Sequence, residues 1–460
     1  MKEEVRKLQE ERIQINTDFY NNIIPKRMPA NFMISAYITA AYGGVDVFDF
    51  QYDFSKLEEA ARKICDQVYS DSPPVSPASL IFNRLPSFYQ LLDSQSFRMG
   101  GDGFVQHPEV VGMKADEYAQ LTQDPYAFVV EKVIPRQYRN LDPSNTAKAL
   151  ISMQRALLAM EEDANASIPW FMKIMDDYGY YPGAPMGASG FCEAPYDYIA
   201  DQLRSFSGIS MDIRRHRDEI KEACDAVLPM MFKMGRPAFA HPLGTVMTPL
   251  HMPTFMREKD FMEVWMPSYK KMYEQYAALG IRGGAFCEDN WMRYLDNLME
   301  LPSGMVLMFE YGDPQKIKDK LGKKFILQGL YPSTLLKTGT KQQVLDKAKE
   351  LLDIMLPGGG YIFGFDKGPL TLSDTNMENY IALSHFVHEY AVYDNPGESF
   401  GTPVNSEGFV FEEEKMTLKS KYLFDWEEFK QKYPHTPDFA RERFEKSDNR
   451  VFNLYMNMTI

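Results

Sequence analysis

Segments with a strand-like apolar pattern alternate with segments of helical periodicity along the second half of the chain. Segments with the length and apolar content of short strands lie at 236–244, 281–290, 304–312, 324–332 and 361–365. Apolar residues on one helical face occur within 213–231, 260–279 and 344–355. Short strands alternating with helices predict parallel β/α units, and this many units in series predict an α/β protein built as a (β/α)8 TIM barrel.

Two local signals mark helix ends in this pattern. Gly280 directly follows the helix predicted over 260–279, where a glycine C-cap is expected. Thr340 and Gln343 form a capping-box pattern at the start of the helix that contains 344–355.

The chain is less regular outside this alternating region. Pro/Ser-rich and Gly-rich turns interrupt the sequence before residue 200, and the end of the chain is polar and aromatic without clear periodicity. We therefore expect one barrel domain over 1–460, with 1–110 an elaborated N-terminal part carrying insertions and 395–460 a tail that wraps the barrel.

Composition narrows the possible partners and the compartment. The net charge is −14, so a nucleic acid or an anionic membrane surface would be repelled. The first residues show no signal-peptide pattern, and the sequence has no apolar run long enough to cross a bilayer. The four cysteines form no CxxC pair, which excludes a disulfide framework and a zinc finger. We expect a cytoplasmic protein, and a homodimer stays open.

Mostly polar residues occupy the ends of the predicted strands, which in a barrel form the edge that carries the active site. They are Ala240 with His241, Cys287 to Asn290, Glu310 with Tyr311, Gln328 with Tyr331, and Asp366 with Lys367. Each alone also fits a helix cap or a solvated loop start, but several carboxylates at successive strand ends converge on one mouth. The 29 methionines are mainly core material, and some can line an adaptable apolar pocket.

Other catalytic templates are missing from the sequence. It contains no Walker A motif, no GxGxxG opening a helix, no HExxH and no GxSxG. His385 and His388 stand three apart on a predicted helix, where a surface or capping role is favoured over a metal.

Several longer motifs carry a family resemblance. The segments "GGGYIFGFDKGPL", "ILQGLYPSTLLKTGTKQQVLDKAKELLD" and "PYDYIADQLRSFSGISMDIRRHRDEIKEACD" resemble the uroporphyrinogen decarboxylase superfamily, and the resemblance runs over about 110–385. "GMKADEYAQLTQDPYAFVVEKVIPR" is similar to the long-chain members found beside corrinoid proteins. This branch implies a cobamide-dependent methyltransferase, including the first methyltransferase component of O-demethylases.

Two departures from relatives narrow the function. Uroporphyrinogen decarboxylases carry an Arg-rich "MRQAGR" segment where this chain has "PKRMPANFMISAY". This chain is strongly acidic and rich in Met, so a substrate with eight carboxylates is a poor electrostatic match for it. Thiol-methylating members carry zinc ligands in an HxCG motif and a later Cys. In this chain the HxCG position is occupied by Phe309 to Gly312, and the later Cys position falls near Asp366 or Lys367. The zinc site of these relatives is therefore not encoded, and a thiol is not the expected methyl acceptor.

We therefore expect methyl transfer from a small donor, foremost an aryl methyl ether, to cob(I)amide. Glu310 is the first choice for the proton donor to the leaving oxygen, because apolar neighbours would keep its carboxyl neutral. Tyr311 would donate a proton or orient the ether oxygen, and Glu288 would share a proton with Glu310. Zinc held by Glu288, Glu310 and His241 is the alternative to proton donation.

The remaining expectations concern substrate and partner. Phe309, Tyr331 and a Met cluster that includes Met247 would sandwich the aromatic ring, with His241 and Asp366 also at the substrate. No histidine has the DxHxxG context of a corrinoid carrier, so the cobamide would arrive on a separate corrinoid protein. Uroporphyrinogen-type decarboxylation, a methylamine or other methyl donor, and a non-enzymatic barrel that binds an aromatic ligand or a partner remain as alternatives. For Glu310 itself, the alternative role is a strand-end carboxylate paired with a barrel Lys or Arg.

Overall fold

The structure is a computed structural model, and it describes residues 2–75 and 86–460. A short antiparallel pair comes first, β1 Arg98–Met99 and β2 Val105–Gln106. One parallel sheet follows in strict chain order, with β3 Gly190–Phe191, β4 Thr245–Leu250, β5 Arg282–Asn290, β6 Val306–Tyr311, β7 Ile326–Tyr331 and β8 Tyr361–Phe365. Neighbouring strands that are also consecutive in the chain require a crossover at every step, which is the β/α repeat that the sequence predicts.

Helices supply these crossovers and the N-terminal and C-terminal parts of the chain. The α-helices of eight or more residues in the described ranges are α1 Glu3–Tyr20, α2 Ala36–Gly43, α3 Leu57–Gln67, α4 Thr146–Tyr178, α5 Phe206–Arg215, α6 Arg217–Gly235, α7 Met266–Ala278, α8 Pro314–Leu321, α9 Lys341–Met355, α10 Met377–Tyr390 and α11 Arg441–Thr459. Shorter helical turns include Pro195–Asp197, Glu258–Asp260, Leu295–Leu298, Leu335–Thr338, Glu413–Met416 and Trp426–Lys432.

Two extended N-terminal segments, around 30–34 and 71–74, pair with each other, and the first packs against β8. The Asp71 N–H donates to the Ala30 carbonyl at 2.7 Å, and the Ile34 N–H donates to the Pro74 carbonyl at 2.8 Å, so the two segments run parallel. The Phe32 ring stacks on Phe363 of β8 with the centroids 5.7 Å apart. The six-stranded parallel sheet with its surrounding helices confirms the predicted α/β TIM-barrel fold class.

Side chains on each strand alternate between the helices outside and the barrel lumen. The hydroxyl of Thr248 in β4 lies 3.0 Å from the phenol oxygens of Tyr269 and Tyr273 on α7, so Thr248 faces outward. Residues next to it in a strand face the other side, which places Met247 and Pro249 on the lumen side. The same alternation and the strand register fix the facing of the side chains on β5 to β8.

The strand predicted over 236–244 is wrong, because the strand here is Thr245–Leu250. Pro249 obscured it, since a proline inside a run argues against a central strand. The partner strand β3 ends at Phe191, whose register partner is Met247. In the part of the chain that is described, Pro249 therefore costs no ladder bond on that side.

Both predicted helix-end signals are confirmed. Thr340 accepts the backbone N–H of Gln343, and the Gln343 side chain accepts the N–H of Thr340, which completes the capping box of α9. Gly280 follows α7 with a φ of 72°, the left-handed conformation that glycine adopts without strain.

The C-terminal segment contacts the barrel at several places along its length. Glu407 accepts two bonds from Ser303, which precedes β6, and the Gln275 side chain of α7 accepts the N–H of Glu412. Tyr138 donates its hydroxyl to the Met458 carbonyl at 2.5 Å. No helix in residues 2–75 or 86–460 is both long and apolar enough to cross a membrane.

Candidate functional site

The barrel lumen has a layer of side chains that solvent reaches. Phe286, Met308 and Gln328 occupy one register level of β5, β6 and β7, and all three are half-buried. The outward neighbours Leu307 and Phe309 are completely buried. This contrast shows a packed shell between strands and helices, with partly exposed apolar and amide side chains on the lumen face.

Glu288 and Glu310 stand one level above this layer, at the carboxyl ends of β5 and β6. The strand pairing between β5 and β6 shifts by a bulge between Cys287 and Asn290, so the end of β5 is bent. Asp289 within this bulge has a φ of 59°, a conformation that non-glycine residues adopt at a cost. The conformation directs the Asp289 N–H to the Glu310 carboxylate, at 2.5 Å.

Glu310 is 5% exposed and is held as an ion pair. The Lys367 ammonium lies 2.6 Å from Glu310 Oε1 and also 5.7 Å from the centroid of the Tyr311 ring. An ammonium and a backbone N–H both stabilise the charged carboxylate. The expectation that Glu310 is kept neutral by its apolar neighbours therefore does not fit its contacts, which are those of its structural alternative, a carboxylate paired with a barrel lysine.

Glu288 has the opposite surroundings. Its side chain faces the lumen, is half-buried, and has no side-chain hydrogen bond or ion pair with any residue that the structure describes. Burial raises the pKa of Glu288, the Asp201 carboxylate raises it further, and His251 and Lys367 act against this. Glu288 therefore combines a raised pKa with a side chain that no described residue holds in place.

A histidine that the sequence interpretation overlooked lies directly after β4. His251 Nδ1 is 3.2 Å from Asp201 Oδ1, and the backbone N–H of His251 donates to the Asp197 carboxylate at 3.1 Å. Asp197 also accepts the indole N–H of Trp265 at 2.7 Å. The hydrogen bond to Asp201 and the charges of the nearby carboxylates raise the pKa of His251 to about 9, so the ring is an imidazolium at neutral pH.

Two residues around His251, the partner Asp201 and the Asp197 donor Trp265, lie in irregular helices. Asp201 lies in the π-helix Tyr198–Arg204, and Trp265 ends the π-helix Phe261–Trp265. Such wider turns are rare and often occur at functional sites. The alternation of side chains over Thr245–Leu250 could have predicted this strand and placed His251 at its end. The strand was predicted over 236–244 instead, so His251 was not recognised as a strand-end residue.

Aromatic rings form a rim beside His251. Phe206 is 41% exposed and Phe255 57% exposed, and their rings meet edge to face with centroids 5.3 Å apart. The His251 ring is 5.9 Å from Phe255. Two exposed rings therefore lie beside His251, just beyond the carboxyl end of β4.

Several predicted site residues lie elsewhere. Phe309 and Tyr331 face outward and are fully buried, and the Tyr331 hydroxyl donates to the Val344 carbonyl of α9 at 2.9 Å. His241 precedes β4 and therefore lies at the opposite end of the barrel from Glu310. These three placements are wrong, because the strand face or the strand end was assigned incorrectly.

The other predicted residues do reach the lumen or its edge. Met247 faces the lumen, and Tyr311 is 43% exposed at the end of β6. Asp366 follows β8 and accepts the backbone N–H groups of Ser333 and Lys367, at 2.9 and 2.6 Å, so its carboxylate holds a loop. A cleft of about 220 Å³ adjoins Glu310, Tyr311 and Asp366 on the side of α9.

The donor set does not fit the zinc alternative. His241 is at the far end of the barrel, and the Glu310 carboxylate is engaged by Lys367 and the Asp289 N–H. Within the described ranges no three His, Cys, Asp or Glu side chains are grouped closely enough to hold a metal ion. His385 and His388 contact the Gln67 carbonyl and the Tyr69 ring.

Comparisons with known proteins give a family and a distant structural likeness. The family model described as uroporphyrinogen decarboxylase (URO-D) matches residues 158–390. A solved structure of a methyltransferase from Methanosarcina mazei is 14% identical and superimposes with a TM-score of 0.49, covering 83% of this chain and 98% of that one. No curated protein matches the sequence.

Proposed function

Because the chain belongs to the uroporphyrinogen decarboxylase family, we propose that it is a methyltransferase of that fold. In this proposal it moves a methyl group from a small aryl methyl ether to the cob(I)amide of a separate corrinoid protein. The carrying observation is Glu288, an acid with a raised pKa and no fixed partner in the described ranges, placed above a half-open apolar lumen.

The chemistry requires a proton at one atom. The bond between the methyl carbon and the ether oxygen breaks, and its electron pair stays on the oxygen. Glu288 gives its proton to that oxygen, so a phenol leaves instead of a poor aryloxide leaving group. The methyl group passes to cob(I)amide, a two-electron nucleophile that serves as a co-substrate on its carrier.

The remaining residues bind and orient the donor. Met247, Phe286 and Met308 supply the apolar lumen for an aromatic ring, with the rings of Phe206 and Phe255 at its rim. The charged pairs Glu310 with Lys367 and His251 with Asp201 flank Glu288 and keep the local charge balanced, which tunes its proton affinity.

The carrier would dock at the strand-end mouth. The sequence has no DxHxxG motif, so the cobamide stays on the partner. An open lumen edge lets the methyl carbon meet a cobalt atom presented from outside, provided the carrier covers the mouth and excludes water.

Decarboxylation of a carboxylate-rich tetrapyrrole is the competing function, and the charges at the mouth disfavour it. The acidic side chains here outnumber the cations His251 and Lys367, the acids being Asp197, Asp201, Glu288, Asp289, Glu310 and Asp366. Arg204 is paired with Asp212, and Arg293 donates to backbone carbonyls. A substrate with eight carboxylates would meet net repulsion.

The test is a spectroscopic methyl-transfer assay. The protein is mixed with a reduced corrinoid carrier and a panel of methoxyarenes and methylamines, and loss of the cob(I) absorption is followed. One aryl ether should support transfer, and Glu288→Gln should slow it by about 10²- to 10⁴-fold. Glu300→Gln, which alters an exposed ion pair, is the matched control and should retain the rate.

Three outcomes would overturn all or part of the proposal. No transfer to any carrier with any methyl donor would remove the methyltransferase function and leave decarboxylation or a binding barrel. Transfer at an unchanged rate in Glu288→Gln would keep the methyltransferase but reject Glu288 as the proton donor. Transfer from a methylamine alone would replace the aryl ether as the substrate.

A further inference from the structure

A cavity lies at the end of the barrel away from the strand-end mouth. It has a volume of about 900 Å³ and is bounded by the loop that enters β3, the C-terminal end of α6 with the residues after it, the segment at 416–418, and α11. All of these lie at the amino ends of β3 and β4. The volume falls within the roughly 300 to 1,000 Å³ of small-molecule sites.

Four cations border this cavity without a direct ion pair to a described residue. Lys233 and Arg236 come from the end of α6, and Lys446 and Arg450 stand one turn apart on α11. None of the four forms an ion pair with a residue in 2–75 or 86–460, although the chain as a whole carries a net charge of −14. A cluster of unpaired cations on an acidic protein is a local site of positive potential.

The acids around the cavity do not cancel this charge. Glu442 and Glu445 are the two acidic residues in its lining, and Glu445 is paired with Arg441, which lies outside the lining. Asp448 on α11 is a further carboxylate near Lys233. Four lining cations therefore outnumber the one lining carboxylate that has no partner in the described ranges.

The cations are held in place over apolar surface. The Arg236 guanidinium lies 5.4 Å from the centroid of Phe411 and 6.0 Å from that of Phe232. The Lys233 ammonium lies 5.1 Å from the Phe452 ring and contacts the side-chain oxygen of Asn449. Burial lowers the pKa of Lys233, so its ammonium lacks part of its hydration and gains from an incoming negative charge.

The floor between the charges is apolar. Phe232, Met234, Met416, Leu418 and Phe452 contribute to the lining, and all five are buried. Inorganic anions would use only the charges, whereas an anion with an aromatic or acyl body would also fill the cavity and contact these apolar side chains.

We propose that this cavity binds an organic anion that combines a negatively charged head with an aromatic or acyl body. Lys446 and Arg450, together with Arg236, receive the head, and the buried rings and methionines receive the body. The site is separate from the strand-end mouth and does not depend on the function proposed there.

The test uses 8-anilinonaphthalene-1-sulfonate, a fluorescent anion with an aromatic body, on the full-length protein. Saturable binding to the wild type is expected. Lys446→Glu with Arg450→Glu should weaken it by roughly tenfold or more, because two attractive charges become repulsive. The matched double variant Lys337→Glu with Lys341→Glu makes the same change in net charge on residues outside the cavity lining and should bind like the wild type.

Competition separates the possible ligands. Dodecanoate should displace the probe, whereas inorganic phosphate at equal ionic strength should not. Equal weakening in both double variants, or displacement by phosphate as effective as by dodecanoate, would overturn the proposal. The milder variant Lys446→Gln with Arg450→Gln, whose folding is checked by its thermal transition, should show an intermediate affinity if the site is real and wild-type affinity if it is not.

Discussion

The barrel places carboxylates in two contrasting environments, one with every charge satisfied and one without. Asp71 is completely buried; its oxygens accept from Arg27 at 2.7 and 2.8 Å and from the Ala30 N–H at 2.8 Å, and Arg12 lies 3.7 Å away. Glu288 faces a half-open lumen and has no such partner in the described ranges. An acid fixed by several donors keeps its charge and holds the structure, whereas a half-buried acid without donors remains able to exchange a proton.

Removing the charge of Asp71 should have the largest effect on stability. Asp71→Asn leaves the guanidinium groups of Arg12 and Arg27 buried without their counter-charge, which costs about 3–5 kcal/mol. Urea denaturation followed by circular dichroism would measure the loss. Asp49→Asn, at the exposed pair with Lys56, should leave the urea midpoint almost unchanged. Equal losses of stability in both variants would contradict a larger contribution from the buried cluster.

Lys367→Met should have a smaller effect that depends on pH. It leaves the nearly buried Glu310 carboxylate without its cation, at a cost of about 1–3 kcal/mol. Because an unpaired buried carboxylate can relieve its cost by taking up a proton, the loss should be larger at pH 8 than at pH 5. Unfolding curves at the two pH values would check this, and a loss that does not change with pH would contradict the ion pair.

Tyr331→Phe separates the outer face of a strand from its lumen face. The change removes the hydrogen bond to the Val344 carbonyl and should cost about 1 kcal/mol of stability. Because Tyr331 faces α9, the KM for the methyl donor should not change. Phe255→Leu at the exposed rim should raise that KM with little effect on stability. A raised KM in Tyr331→Phe and an unchanged KM in Phe255→Leu would instead make Tyr331 a substrate contact.

His251→Gln should give the smallest change, with a defined sign. The folded pKa of about 9 lies above the usual value, so the stability from the imidazolium pair with Asp201 is fully present below about pH 6.5 and is lost as pH rises through 9. The side chain is 43% exposed, and after allowance for screening the contribution is about 0.5–1 kcal/mol. Thermal unfolding of both proteins from pH 6 to 9.5 should show the two curves converging, and a constant difference would exclude this pair.

Much of the fold followed from the sequence because β/α repeats leave strong periodic signals. The strands at β5 to β8 and the capping box of α9 were predictable from apolar runs and local hydrogen-bonding residues. The strand β4 was not, because Pro249 breaks the usual strand composition and is tolerated only where the neighbouring strand has already ended.

The candidate site was predictable only in part. Glu288 and Glu310 were found because strand ends mark the mouth of a barrel, but their roles depend on contacts that a sequence does not contain. Lys367 and the Asp289 N–H reach Glu310 through a loop and a bulge, and Asp201 meets His251 across 50 residues of chain. Which face Phe309 and Tyr331 occupy is set by strand register, where an error of one residue exchanges inside for outside.

The alternation along the strands also affects how such a protein can diversify. Met247, Phe286, Met308 and Gln328 shape the lumen, while the outward residues between them form the packed shell. Exchanges at these four positions would reshape the pocket without removing contacts between strands and helices. Selection for a new small molecule can therefore act on a few half-buried positions while the rest of the barrel continues to fold as before.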